Sequence, residues 1–261
     1  MTHRFLAAGA ALVAAVVVLA LLPGATMAGR LLEPTTSRAL PLAGRVVVLD
    51  PGHQLGNHNF PRRISRLVPA GGFRKPCNTT GTSTNRGYPE ATFVWQVSKL
   101  VRQRLERLGA KVVLTRQVNS QRRWGPCVDE RGRAGNRIGA DLKLSIHADG
   151  SYARGARGFH VIAPANRAPW THDIFRSSRR LSLDLRAALG AGGFVRANYI
   201  AGGDGLDVRA DLATLNLSDV PTAMVELGNM RNPREARRMS SPAGRAAYAK
   251  ALVAGVRANL R

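Results

Sequence analysis

Arg45-Val-Val-Val-Leu-Asp50-Pro51-Gly52-His53 is the stretch on which the fold turns. A compact apolar run that stops abruptly at Pro-Gly reads as a strand buried on both faces, the kind found in parallel sheets. Working outward, residues 54–89 form a long polar connection rich in Gly, Asn, Thr and Arg, and a connection of that length without periodicity belongs to a functional surface. From 91 to 108 the apolar residues Phe93, Val94, Val97, Leu100, Val101, Leu105 and Leu108 recur at helical spacing, with Gly109 as the stop. Lys111-Val-Val-Leu-Thr115 then reads as a second strand, 130–138 as a short helix and Leu142-Lys-Leu-Ser-Ile-His147 as a third strand. A fourth strand is expected over 158–162, a long helix over 173–189, a last strand at Thr222-Ala-Met-Val-Glu226 and a closing helix over 242–260. This alternation predicts an α/β fold, a single domain with a mostly parallel twisted β-sheet and helices on both faces. No internal repeat or appended binding module is visible.

The composition agrees. With 261 residues, 44% hydrophobic and 21% charged, the chain suits one globular domain with a sizeable core and is neither disordered nor fibrous. A short positive start, an apolar run over 5–22, Pro23-Gly24 and small residues to Ala28 have the layout of a secretory signal. The run is nearly long enough to span a bilayer, so an uncleaved anchor is the competing reading. The expected organisation is a signal peptide or anchor over 1–28, a linker over 29–44 and the folded domain over 45–261. The expected location is secreted, periplasmic or in the cell wall. Export places the two cysteines, Cys77 and Cys127, where thiols oxidise, and a disulfide is the natural inference. Two metal-binding thiolates would need further Cys or His close by, and neither neighbourhood has them.

The net charge of +23, almost all of it arginine, favours an anionic partner: nucleic acid, a lipid surface or a cell wall bearing phosphate and carboxylate. For an exported chain the wall or membrane surface is the leading choice. No recognisable motif with stacking aromatics supports nucleic acid, and a compositional bias towards Arg, Ala and Gly is the bland alternative.

In open parallel sheets ligands bind beyond the carboxyl ends of the strands. His53 follows the first strand, His147 ends the third, Glu226 ends the last, and Glu90 stands at the N-terminal edge of the clearest helix, on the same side of an α/β unit. Two His and one carboxylate with an open fourth position form a common hydrolytic zinc site, which leaves one carboxylate free as a base. Taken singly each residue has a plain structural reading. His53 could bond the backbone of a turn, His147 could sit satisfied in the core, Glu90 could serve a helix dipole, and Glu226 could pair with an arginine. His58, His160 and His172 are set aside as surface, strand and helix-start residues, and His3 falls in the signal segment.

Val-Leu-Asp50-Pro-Gly-His53, Gly87-Tyr-Pro-Glu90, Ser145-Ile-His147-Ala-Asp149 and Val225-Glu226-Leu-Gly228, in that order, resemble the successive motifs of the zinc-dependent N-acetylmuramoyl-L-alanine amidases. The resemblance runs from Arg45 to the C-terminus. It is closest to the single-domain actinobacterial type, which is similar in its cysteine pair and in lacking a separate wall-binding domain. It implies that 45–261 is a zinc amidase catalytic domain and that one Zn2+ per chain is held by His53, Glu90 and His147, with Glu226 as the catalytic residue. Gln54-Leu55 and Asn229-Met230 depart from the family pattern, and those departures bear on substrate preference more than on chemistry.

The implied reaction is hydrolysis of the amide between N-acetylmuramic acid and L-alanine in peptidoglycan. Apart from the resemblance, the stretch 204–216 mixes polar and apolar residues in a way that suits a groove wall, and Arg209 within it is expected to contact a stem-peptide carboxylate. A salt bridge from Arg209 to Asp207 or Asp211 is the structural alternative. The expected partners are peptidoglycan or muropeptide and an anionic wall surface, the chain acting as a monomer without nucleic acid. Two rivals remain: a non-catalytic wall-binding or regulatory protein on the same fold, and a zinc carboxypeptidase acting on stem peptides.

Overall fold

In the computed structural model, which describes residues 39–261, the valine-rich stretch is strand β1 (Val46–Pro51). The segments expected as signal (1–28) and as most of the linker lie outside the described residues. After β1 come α1 (Pro61–Ile64), β2 (Leu67–Pro69), β3 (Arg74–Pro76), α2 (Glu90–Arg107), β4 (Lys111–Leu114), α3 (Val128–Arg133) and β5 (Leu142–Asp149). The chain continues through β6 (His160–Pro164), α4 (Phe175–Ala191), β7 (Leu206–Arg209), α5 (Ala213–Asn216), β8 (Thr222–Asn229), α6 (Pro233–Ser240) and α7 (Pro242–Asn259). Six strands form one sheet in the order β4-β1-β5-β8-β6-β7. Every pairing is parallel except β6 with β8, as the run of apolar strands joined by helices demands.

One face of the sheet carries the main core. Val47, Leu49, Leu144, Ile146 and Val225 pack there under Phe93, Val97 and Val101 of α2, Leu181 and Leu185 of α4, and Tyr248 and Leu252 of α7. Tyr248 is fully buried between Phe93, at 5.6 Å edge-on, and Phe194, stacked at 4.2 Å. Burying each such side chain stabilises the fold by about 1.5–3 kcal/mol, which is why α2 lies fixed along the sheet with its first residue, Glu90, at the sheet's upper rim.

The opposite face is thinner and more polar. Ile162 and Met224 pack under Leu215 of α5, while Asp50, Lys143 and Ser145 are fully buried beneath α3. Lys143 donates to the terminal carbonyls of α3, those of Arg131 and Gly132, so a buried sheet amine, its pKa pushed down to about 7 by desolvation, caps the carbonyl end of that helix.

Several boundaries differ from expectation. The helix expected over 130–138 is broken by Gly135 at φ 101°, leaving α3 before it and a 3-10 turn at Asn136–Ile138 after it. The polar connection 54–89 contains α1 and the small antiparallel β2-β3 pair, and the stretch 204–216 contains β7 and α5. Leu42, in the segment read as linker, is buried in the core, and its N–H donates to the carbonyl of Leu108 at 2.8 Å. Cys77 and Cys127 form the expected disulfide, Cα to Cα 4.3 Å. No helix among the described residues is long and apolar enough to cross a membrane.

Candidate active site

The site begins where β1 ends. Gly52 lies flat against the imidazole of His147, and a Cβ at that position would collide with the ring, so glycine is required there by close approach. His53 follows in the left-handed region at φ 54°, a conformation that costs a non-glycine residue of order 1 kcal/mol and must be held.

Two buried arginines hold it. Arg131 donates to Asp50 Oδ1 at 2.6 Å, to the Pro51 carbonyl at 2.7 Å and to the His53 carbonyl at 2.6 Å. Arg116 donates to the Pro51 carbonyl at 3.1 Å and to the Ala91 carbonyl at 2.7 Å, which ties the turn to the start of α2. Asp50 accepts further from Thr115 Oγ1 at 2.6 Å and Ser145 Oγ at 2.7 Å. Burial alone would raise its pKa, but the Arg131 guanidinium and the two hydroxyls hold the carboxyl well below the usual range.

His53, Glu90 and His147 meet in front of this scaffold, their ligating atoms all within 4.8 Å of one another. Glu90 Oε1 lies 3.2 Å from His53 Nε2 and 3.0 Å from His147 Nδ1. The other nitrogen of His53, Nδ1, faces the Thr79 carbonyl at 3.1 Å, which sets the tautomer and leaves Nε2 turned inward. The Glu90 carboxylate is itself anchored: Thr82 N–H donates to Oε2 at 3.0 Å and Ala148 N–H to Oε1 at 3.2 Å. Gly81 closes the floor, where a Cβ would press on His53 and Glu90 Oε2 at 2.8–2.9 Å.

Burial disfavours charge on His53, yet the adjacent Glu90 wins and raises its pKa. Glu90 is correspondingly held low by the two imidazoles against its own burial. The cluster is thus a pre-assembled acceptor set that protons occupy when nothing else does. Donors bound at about 2.0–2.1 Å to one tetrahedral ion lie about 3.4 Å apart, close to the two separations between Glu90 and the histidines, so the chemistry and spacing of this donor set suit a zinc ion.

Glu226 stands beside His147. The two are opposite one another in the parallel β5-β8 register, and on its other side Glu226 is opposite His160 in the antiparallel β6-β8 register. Cross-strand partners share a face, so His147, Glu226 and His160 form one row across three strands. Glu226 Oε2 and His160 Nδ1 are both buried without a hydrogen-bond partner. Burial first, then the negative Glu90 and Asp149, push the Glu226 carboxyl well above its ordinary range, with Arg209 pulling the other way.

Arg209 ends β7 and forms a bidentate pair with Asp211, at 2.8 and 2.7 Å. Its charge reaches Glu226, while its donors are engaged by the structural partner that the sequence offered as the alternative.

Of the histidines set aside, His58 and His172 are exposed and outside the cluster, whereas His160 joins the row beside Glu226. Arg116 and Arg131 also escaped notice, because nothing in a sequence so rich in arginine marks two of them as buried. The two departures from the family pattern turn into the scaffold. Gln54 is buried and bonds Val118, Leu55 and Ser120, Asn229 is buried and bonds Ser151 and Ala156, and Met230 lies in the core.

The family model described as N-acetylmuramoyl-L-alanine amidase matches residues 47–258. The chain is 45% identical to the N-acetylmuramoyl-L-alanine amidase Rv3717 of Mycobacterium tuberculosis over 216 residues, 82% of this chain and 86% of that protein. Among solved structures, the N-acetylmuramyl-L-alanine amidase Ami1 of Mycobacterium smegmatis is 40% identical with a TM-score of 0.78, covering 84% of this chain and 98% of that one. Ami1 of Mycobacterium abscessus, in its apo form, is 43% identical with a TM-score of 0.77, covering 84% and 100%.

Proposed function

From its membership of the N-acetylmuramoyl-L-alanine amidase family, to which this chain belongs, we propose that the protein is an exported, zinc-dependent peptidoglycan amidase that hydrolyses the bond between N-acetylmuramic acid and L-alanine. The observation that carries the zinc reading is the set of three convergent donors, His53, Glu90 and His147, with a partnerless carboxylate in the next strand.

His53, Glu90 and His147 would hold the ion. When bound, Zn2+ acidifies water and polarises a carbonyl oxygen. Glu226, raised in pKa and unpaired, takes the proton of the attacking water and returns it to the leaving amine. The buried Asp50, Arg131 and Arg116 keep the turn bearing His53 rigid, so the donors do not have to be organised at each turnover. Arg209 is the residue assigned to a substrate carboxylate, which it would take in exchange for its pairing with Asp211. The reading of export rests on the signal-like residues 1–28 and on the disulfide, and the net charge of +23 suits an anionic wall.

The test is incubation of the purified protein with muramyl dipeptide and with whole peptidoglycan, with and without chelator, followed by mass spectrometry of the products. Free stem peptide that disappears with chelator and returns with zinc is expected. Release of a terminal amino acid instead would make it a carboxypeptidase, and zinc binding without release of anything would make it a wall binder. Glu226→Ala is expected to keep its zinc and lose turnover, and preserved activity would remove Glu226 from the role of base.

A further inference from the structure

The segments that follow His147 and Glu226 and the turn that precedes Glu90 come together beside the site. The chain leaving β8 at Asn229 reaches Arg231, the chain leaving β5 at Asp149 reaches Tyr152, and the turn before α2 carries Asn85 and Arg86. These segments meet. The Arg231 guanidinium lies 4.6 Å from the centre of the Tyr152 ring, and its Nη1 donates to Asn85 Oδ1 at 3.2 Å. Asn229 locks the arrangement from below. Its amide donates to the Ser151 carbonyl at 2.9 Å and the Ala156 carbonyl at 3.0 Å, and its Oδ1 accepts from the Arg231 N–H at 3.0 Å. Arg231 is therefore oriented from several sides, yet its Nε is buried without a partner. Tyr152 is held 79% exposed at the lip.

On either side of Arg231 lie cavities of about 200 Å³, lined by Tyr152 and Ser151, and about 320 Å³, lined by Arg86, Tyr88 and Arg237. No Asp or Glu lines either one. The single acid of α6, Glu235, is turned inward, where its carboxylate accepts from the N–H groups of Gly158 at 3.0 Å and Asn229 at 2.9 Å. Among the described residues Arg86, Arg231 and Arg237 form no ion pair. A cleft with three guanidiniums and no carboxylate is built for an anion.

Resting on the amidase reading, we propose that this cleft is the subsite for the carboxylates of an acidic peptide, the part of the substrate on the amine side of the scissile amide. Arg231 is its principal contact, and Tyr152 covers one face. Arg231 lies five positions beyond Glu226, a reach of at most about 18 Å, so carboxylates carried a few residues beyond the scissile bond arrive there. Asn229 and Met230, the departure from the family pattern, serve this subsite indirectly by fixing the loop that presents Tyr152.

The test compares wild type, Arg231→Gln, Tyr152→Ala and Arg107→Ala on a muramyl peptide with free carboxylates and on the same peptide with those groups amidated. Arg107 is a charge control at the far end of α2, about 25 Å along the helix from Glu90. Arg231→Gln is expected to raise KM for the carboxylate substrate about tenfold or more, with kcat nearly unchanged and no effect on the amidated one. Tyr152→Ala should do the same more weakly, and Arg107→Ala should change neither.

Equal losses on both substrates, or none, would overturn the proposal, as would weakened binding of a phosphate polymer with peptide binding intact. Binding of the free acidic peptide to wild type and Arg231→Gln, followed by fluorescence anisotropy, decides the subsite even if neither substrate is cleaved. In that case the amidase reading fails separately. Melting curves confirm that each variant is folded.

Discussion

Glu226 on β8 and His147 on β5 are a cross-strand pair in parallel register. The distance between the proposed base and a proposed metal ligand is therefore set by a hydrogen-bonded ladder, with Cβ atoms about 5 Å apart, and not by a loop. Immediately beyond the pair the register slips, Asp149 facing Asn229 across one extra residue in β8, with Gly228 at φ +147°. A bulge beside a site re-aims the strand that follows, and here it sends the chain towards Arg231.

The raised pKa of Glu226 makes a stability prediction for the metal-free protein. A carboxyl whose folded pKa exceeds its unfolded value contributes stability that is complete below the unfolded value of 4.5 and is lost as pH rises through the folded one. Glu226→Gln removes that loss. In the presence of chelator the variant should be more stable than wild type at pH 7 and no more stable near pH 4. Thermal denaturation at the two pH values reads it, and identical melting temperatures at pH 7 would refute the raised pKa.

Asp50 runs the opposite way. Its folded pKa lies below the unfolded value of 3.8, so its contribution is present above that value and disappears as pH falls through the folded one. Asp50→Asn leaves Arg131 charged, buried and without its counter-ion, and should cost about 3–5 kcal/mol at pH 7. Urea unfolding should show the wild type losing its advantage over the variant as the solution is acidified below pH 4. A constant difference would mean that the pair is not the source.

Gly52→Ala should damage the site without unfolding the domain. The added methyl collides with the His147 ring, so the imidazole must rotate away from Glu90. Zinc affinity, measured by competition with a chromogenic chelator, should fall about tenfold or more, with far-ultraviolet circular dichroism unchanged. Unaltered affinity would show that His147 can ligate from another rotamer.

Opening the disulfide should act on both stability and metal affinity. The bridge closes a loop of 50 residues, which corresponds to roughly 4 kcal/mol in the entropic description. It also joins the segment leading to Thr79, which orients His53, to the start of α3, which carries Arg131. Replacing both cysteines by serine should lower the unfolding midpoint and weaken zinc binding together. Loss of stability with full zinc affinity would confine the bridge to a structural role.

Much of this was legible in the sequence because parallel strands buried on both faces leave contiguous apolar runs, and α/β connectivity places their ends on one rim. His53, Glu90, His147 and Glu226 could be set together by that logic alone. The short edge elements could not. β7 is four residues long and partly exposed along its length, and β2 and β3 have three residues each, too few for periodicity to register. His160 was missed because β6 pairs antiparallel to a strand far along the chain, and no local pattern announces that partner. Arg116 and Arg131 were hidden by their own abundance, since burial is a tertiary property and arginine is ordinarily a surface residue.

The three donors of the metal cluster come from a strand end, a helix start and a third strand, and 57 residues separate Glu90 from His147 alone. No fragment of the chain can gather them, so an ion that binds there binds only the finished fold and stabilises it by mass action. Zinc would then govern the protein's lifetime as well as its chemistry. At a free zinc concentration a hundred times the dissociation constant the folded state gains about 2.7 kcal/mol, and a zinc-starved environment would expose the same molecule to proteases.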